Sequence, residues 1–193
     1  MENRQNDYFV LDIETVPLDY EKYESEENEE DRLKHLNPID SRIVALGLRF
    51  EGKDQVFLGD DEKDILEKFW NAWRFIKAGR RPVGFSILNF DIPFIISRSL
   101  INDVKIAPFM LKEIIDLRDK INAYKYGKSR GKLKEYAKLL GIETAGMDGS
   151  EVAGLWKSGQ KEKIEEYLKS DLFVTDELYK KCKELRILEI ERW

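Results

Sequence analysis

The ten residues from Tyr8 to Pro17, YFVLDIETVP, constrain this chain more than any other stretch. Tyr8, Phe9, Val10 and Leu11 form an unbroken apolar run of β-formers, the pattern of a strand covered on both faces. Asp12 and Glu14 follow, with only Ile13 between them. Residues two apart on a strand share a face, so both carboxylates leave the end of a central strand side by side. Two like charges that close are costly unless a positive charge lies between them, and a divalent metal is the usual compensator. The same letters also fit an acidic turn that ends a strand in water. This stretch alone does not separate the two.

Two further acids stand where acids are costly. Asp91 is the only charge in the apolar segment VGFSILNFDIPFII, Val83 to Ile96. A lone carboxylate there needs a partner, a metal or a helix start. Pro93 two residues on makes an N-cap an available explanation, though capping leaves the apolar surroundings unexplained. The third acid is Asp171, four residues after Tyr167 and therefore on the same helical face. Ile164, Leu168, Val174 and Leu178 supply apolar positions around that face. An i,i+4 Tyr–Asp pair is common by itself and usually structural. Together the carboxylates of Asp12, Glu14, Asp91 and Asp171, with Tyr167, suggest a two-metal phosphodiester site. That chemistry places two cations about 4 Å apart and needs several hard oxygen ligands.

The rest of the chain reads as one domain over residues 1–193, long enough for a sizeable core. Leu18 to Leu36 is dense in Glu and Lys, and reads as a charged surface insertion at about 18–37 with a solvated helix in its later part. Arg42–Phe50 and Gln55–Leu58 read as hairpin strands joined through Glu51-Gly52-Lys53-Asp54. Ile65, Leu66, Phe69, Trp70, Trp73 and Ile76 fall at helical spacing within 61–78, and the tryptophans read as core. A short strand at Val83–Phe85, a helix from Pro93 to Ile101 and a last strand within Lys112–Leu117 follow. Helices are expected over 132–140, 149–156 and 160–185. Strands first and helices interleaved later suggest an α/β fold, one mixed sheet flanked by helices.

Composition excludes several classes. The net charge of −5 argues against a broad DNA-coating surface, but leaves room for nucleic acid at an acid cluster that holds metals. Cys182 is the one cysteine, so no intramolecular disulfide forms and a reducing, cytoplasmic location is the default. No signal peptide, lipidation motif or apolar run of transmembrane length is evident, so no membrane partner is expected.

The ordered motifs resemble those of the DnaQ-like, or DEDD, 3′–5′ exonucleases. Asp12-Ile13-Glu14-Thr15 matches the first motif, Asn89-Phe90-Asp91 the second, and Tyr167-Leu168-Lys169-Ser170-Asp171 the third in its tyrosine form, DEDDy. The histidine subgroup does not fit, because His35 is the only histidine and lies inside the acidic insertion. GFSILNFDIPFI is similar to a segment of the proofreading exonuclease domain of family-B DNA polymerases, as are Ile115-Asp116-Leu117 and Leu139 to Glu143. One departure stands out: Ser86 occupies a position where the polymerase pattern has Asn, which puts strand placement or catalytic efficiency in question.

The resemblance implies a ribonuclease H-like fold without the polymerase part, two divalent cations (Mg²⁺ or Mn²⁺), and release of nucleoside 5′-monophosphates from the 3′ ends of single-stranded DNA. It makes Asp12 the bridge between the metals, puts Glu14 and Asp171 on the water-activating one, Asp91 on the other, and Tyr167 beside the attacking water. Thr15, Asn89 and Phe90 become contacts for the terminal nucleotide, with core packing an equal reading for Phe90. Lys125, Lys128, Arg130, Lys132 and Lys134 are phosphate-tracking candidates, against the ordinary reading of a solvated basic loop. Two alternatives stand beside this reading: a ribonuclease D-like enzyme acting on RNA, and a catalytically silent nucleic-acid-binding module.

Overall fold

A computed structural model describes residues 7–125 and 131–192. Among them, five strands form one sheet in the order β3-β2-β1-β4-β5. The strands are β1 (Tyr8–Pro17), β2 (Ser41–Phe50), β3 (Lys53–Leu58), β4 (Arg81–Gly84) and β5 (Ile115–Asp116). The acid-bearing strand β1 is central, antiparallel to β2 and parallel to β4. The helices are α1 (Tyr20–Ser25), α2 (Glu29–Lys34), α3 (Glu62–Ile76), α4 (Asp91–Ile101), α5 (Leu117–Ile121), α6 (Leu133–Leu140), α7 (Val152–Lys157) and α8 (Lys161–Glu184).

The alternation of β1 distributes its side chains between two cores. Phe9, Leu11 and Ile13 pack with Phe69, Trp70 and Trp73 of α3 and Ile92, Phe94 and Ile95 of α4. The tryptophans are thus core, as their spacing indicates. Val10 and Val16 face the other way, onto Val152 of α7 and Ile164, Leu168 and Leu172 of α8. Asp12 and Glu14 share the parity of Val10 and Val16, which aims them at α8.

Element boundaries depart from the sequence reading in physically simple ways. The hairpin turn is only Glu51-Gly52, with φ of 51° and 74°, so β3 begins at Lys53. Two consecutive positive φ values are the requirement of a tight type I′ hairpin. Helix α4 starts at Asp91 itself, so Pro93 sits inside the first turn and Asp91 is not the N-cap. Strand β5 is two residues long, because Leu117 already begins α5. The insertion folds into α1 and α2, with Tyr23 buried. No helix among the described residues is long and apolar enough to cross a membrane.

Two features hold this frame in register. The pairing of β1 with β2 is irregular between Glu14 and Thr15, a bulge that strengthens the local twist. The Ile43 N–H at that point donates to Glu62 at 2.7 Å, and Glu62 is in turn clamped by Arg98 of α4 at 2.5 Å. The second feature is Gly47, which sits opposite Asp12 on β2. A Cβ at Gly47 would lie 2.7 Å from Leu172 and 3.1 Å from Leu168. Only a residue without a side chain lets α8 lie this close to the sheet. Gly47→Val is expected to lower stability by about 1–3 kcal/mol through overpacking. Thermal denaturation measures this, and an unchanged melting temperature would show that α8 does not need the gap.

Candidate active site

The carboxylates of Asp12, Glu14 and Asp171 converge, with one oxygen of each lying within 4.8 Å of the others. Asp171 reaches them from α8 because its helix rests on Gly47, next to the strand that carries Asp12. Asp91 enters from the opposite layer. Strand β4 pairs with β1 only as far as Val10, so β1 runs on alone and the Ile13 N–H has no ladder partner on that side. Asp91 accepts it at 3.2 Å. Asp91 also lies within hydrogen-bonding reach of Asp12. The structure therefore brings together all four acids that the sequence singles out, as a close triad plus Asp91.

Their electrostatics follow from burial. Removal from water, then the charges of Asp91, Glu14 and Asp171, push Asp12 well above the carboxylate range. Burial followed by Asp171 and Asp91 does the same to Glu14. Asp91 is pushed up to about 7, chiefly by burial. Asp171 is raised by burial, while Tyr167 and Lys134 pull it back. One oxygen of Asp171 is buried with no hydrogen-bond partner. A buried carboxylate oxygen without a donor, within a set of hard oxygen ligands, fits a divalent cation.

Tyr167 is buried, within hydrogen-bonding reach of Asp171, and held firmly protonated by burial and by the charges of Glu14, Asp171 and Asp12. The Lys134 ammonium sits 4.5 Å from the centre of its ring. That ammonium is buried, makes no hydrogen bond, and lowers the pKa of both Glu14 and Asp171. Of the lysines read as phosphate contacts, Lys134 is thus an internal charge. Lys132 lines the cleft, Lys125 is exposed, and Lys128 and Arg130 lie outside the described residues.

A cleft of about 460 Å³ opens beside the triad, bordered by Ile13, Glu14, Thr15, Leu33, Leu36 and Phe90. Thr15 and Phe90 both border this cleft. Phe90 is 36% exposed while its ring lies 5.3 Å from that of Phe94, so it serves packing and cleft at once. Asn89 is exposed and does not line the cleft.

Asp116 is the residue whose role the sequence left unread. Buried at the end of β5, it accepts the backbone N–H groups of Ser86 at 3.0 Å and Leu88 at 3.1 Å. It also accepts those of Arg118 and Asp119 at the start of α5. One carboxylate thus fixes the loop that delivers Phe90 and Asp91. Within that loop Ser86 adopts φ of +64°, a left-handed conformation that Asn tolerates better than Ser. An acid isolated among Ile114, Ile115 and Leu117 is the same signal that marked Asp91.

This arrangement, acids on a central strand and on helices from both layers of a mixed sheet, is that of a ribonuclease H-like exonuclease fold. Over 93% of its length the chain is similar to a family B DNA polymerase of the archaeon Pyrobaculum calidifontis, with a TM-score of 0.71 and 17% sequence identity. The match covers 25% of that polymerase chain. An uncharacterised protein of Methanocaldococcus jannaschii is 36% identical over 157 residues, covering 75% of this chain and 88% of that one. Residues 43–189 match the model of a family described as predicted 3′–5′ exonucleases related to the exonuclease domain of PolB, and the chain belongs to that family. The matched span omits β1, whose Asp12 and Glu14 rest on the motif and on the geometry above.

Two predictions follow from the buried acids. Because their folded pKa values are raised, the folded protein holds protons that the unfolded chain releases above about pH 4. Metal-free stability is therefore greatest at low pH within this window and falls as pH rises through the value of about 7 for Asp91. Melting temperatures between pH 5 and 8 should fall in EDTA, and fall less with Asp91→Asn. A rise over that range would contradict the assignment. Asp116→Ala strands buried N–H groups and is expected to cost about 3 kcal/mol, read by chemical denaturation.

Proposed function

We propose that this protein is a metal-dependent 3′–5′ exonuclease that removes nucleotides one at a time from single-stranded DNA. The observation that supports this most directly is the convergence of Asp12, Glu14 and Asp171, one of which carries a buried oxygen with no hydrogen-bond partner. Asp12, Glu14 and Asp171, with Asp91 through Asp12, would hold two divalent cations, Mg²⁺ or Mn²⁺. When bound, the cations offset the charge that develops on the phosphate and make the attacking water more acidic.

The chain's own groups do the rest. Tyr167 keeps its proton and offers a hydroxyl beside Glu14 and Asp171, where it orients the attacking water. Water attack on the last phosphodiester forms a new P–O bond and breaks the P–O3′ bond. The water's proton is lost to solvent, the departing 3′ oxygen gains one, and a nucleoside 5′-monophosphate leaves. Thr15 and Phe90 border the terminal nucleotide. Lys134 supplies positive charge behind Tyr167, keeping Glu14 and Asp171 closer to the ionised state that binding a cation requires.

The test is a 5′-labelled single-stranded DNA oligonucleotide incubated with Mg²⁺ or Mn²⁺. A descending ladder is expected, lost in EDTA. Asp12→Ala should reduce kcat on the order of a thousandfold or more. Tyr167→Phe should reduce it about 10- to 100-fold with little change in KM. An RNA copy that is degraded faster would move the substrate to RNA. Absence of a ladder on both polymers would leave a binding module.

A further inference from the structure

The insertion between β1 and β2 carries most of what is particular to the cleft. It lies outside the span matched by the family model. Residues 18–37 hold eight of the 38 acidic and three of the 33 basic residues, which leaves thirty of each elsewhere. The whole formal charge of −5 is thus concentrated in this segment.

The segment is built into the molecule. Tyr23 is buried, the Tyr20 hydroxyl donates to the Ala153 carbonyl at 3.2 Å, and Glu24 pairs with Lys157 at 2.7 Å. At its far end, Ser41 donates to the His35 carbonyl at 2.7 Å, and Arg98 donates to the Pro38 carbonyl at 3.0 Å. These contacts fix α2 so that Leu33 and Leu36 line the cleft together with Phe90 and with a polar floor, as we term it, of Glu14, Thr15 and Lys132. Leu33 is 47% exposed and is the one apolar residue of α2. Gly149, on a further side, lies against the Tyr167 hydroxyl, where a Cβ would be 3.4 Å away. The cleft therefore has apolar flanks, a polar floor, and direct access to the reacting centre. Its volume of about 460 Å³ falls within the roughly 300–1,000 Å³ of small-ligand pockets.

We infer that the acidic insertion is the specificity element of this site: Leu33 and Leu36 hold the 3′-terminal nucleobase against Phe90, and the acid-rich remainder of the segment turns away a longer polyanion. The inference rests on the exonuclease reading. Its chemistry is direct. A base has apolar faces that suit leucine and phenylalanine, and its sugar–phosphate edge then meets the polar floor. Helix α2 is six residues long, or about 9 Å, so the charges of the helix lie within roughly one Debye length of Leu33; Asp31 pairs with Lys34, and across residues 18–37 acids still outnumber bases eight to three. A second strand, or a long single strand folded back along α2, meets that negative field. A dinucleotide or a frayed terminal residue does not. The substrate class is accordingly short oligonucleotides and unpaired 3′ ends.

The experiment uses the full chain and DNA carrying 2-aminopurine at its 3′ end. Emission should rise on binding in EDTA or Ca²⁺, as the terminal base leaves its neighbour and enters an aliphatic cleft. Leu33→Ser, at an exposed position that tolerates the change, should abolish most of that rise. It should also raise KM for a dinucleotide about five- to tenfold with kcat nearly unchanged. Glu27→Gln/Glu30→Gln should lower KM for a 20-mer and for a recessed duplex several-fold, without moving KM for the dinucleotide. If Leu33→Ser cleaves and binds as the parent does, or if the charge variant moves short and long substrates equally, the inference is overturned while the exonuclease reading stands. If the parent hydrolyses nothing yet its emission change still depends on Leu33, the exonuclease reading fails and the base-binding cleft survives.

Discussion

Mutual repulsion among buried carboxylates is the constraint around which this fold is built. Asp12, Glu14, Asp91 and Asp171 come from a strand and from helices in two different layers. Holding them together in a poorly solvated pocket opposes folding, and the surrounding structure shows where the opposition is met. The two apolar clusters on either face of β1 are dominated by large, fully buried side chains, including Phe9, Phe69, Trp70 and Trp73. Lys134 contributes one positive charge from beneath. Burial beside one another favours the protonated forms of Asp12 and Asp91. The same repulsion would, in the reading proposed above, favour a divalent cation among these acids.

Positioning these acids falls to residues that touch no substrate. Gly47 sets how close α8 comes to β2, and so how near Asp171 comes to Asp12. Asp116 gathers four backbone N–H groups and thereby fixes the turn that leads into α4. The Glu62–Arg98 pair ties α3, α4 and the bulge of β2 into one unit. Each supplies rigidity at a point where the chain's regular hydrogen bonding lapses: a bulge, a left-handed turn, a helix laid on a glycine.

Much of this was legible in the sequence where the signal is local. The apolar run of β1, the helical spacing of α3 and α8, and the order of the acids follow from periodicities of two and 3.6. What stayed hidden depends on distant segments meeting. Nothing near Lys134 distinguishes it from Lys132 or Lys138, yet only its ammonium is buried behind Tyr167. Gly47 reads as an ordinary strand glycine until the leucines of α8 are laid over it. Asp116 lies in a stretch that resembles the polymerase exonuclease pattern, but its four donors come from two separate turns, at residues 86–88 and 118–119. Leu33 and Leu36 are drowned by the charges around them, so a segment that borders the reacting centre reads as solvated surface.

The distance along the chain between the site's parts has a consequence for the protein's synthesis. Asp12 and Glu14 leave the ribosome first, on a strand whose partner β2 follows soon after. Asp171 lies on the last long helix, and α8 can dock only once β2 offers the gap at Gly47. Until α8 has been made, the chain carries Asp12 and Glu14 without the third acid of the cluster. Docking of such a late, non-local element is slow compared with forming a local hairpin. The acid cluster thus closes in a single late step, when α8 docks and brings Asp171 to Asp12 and Glu14.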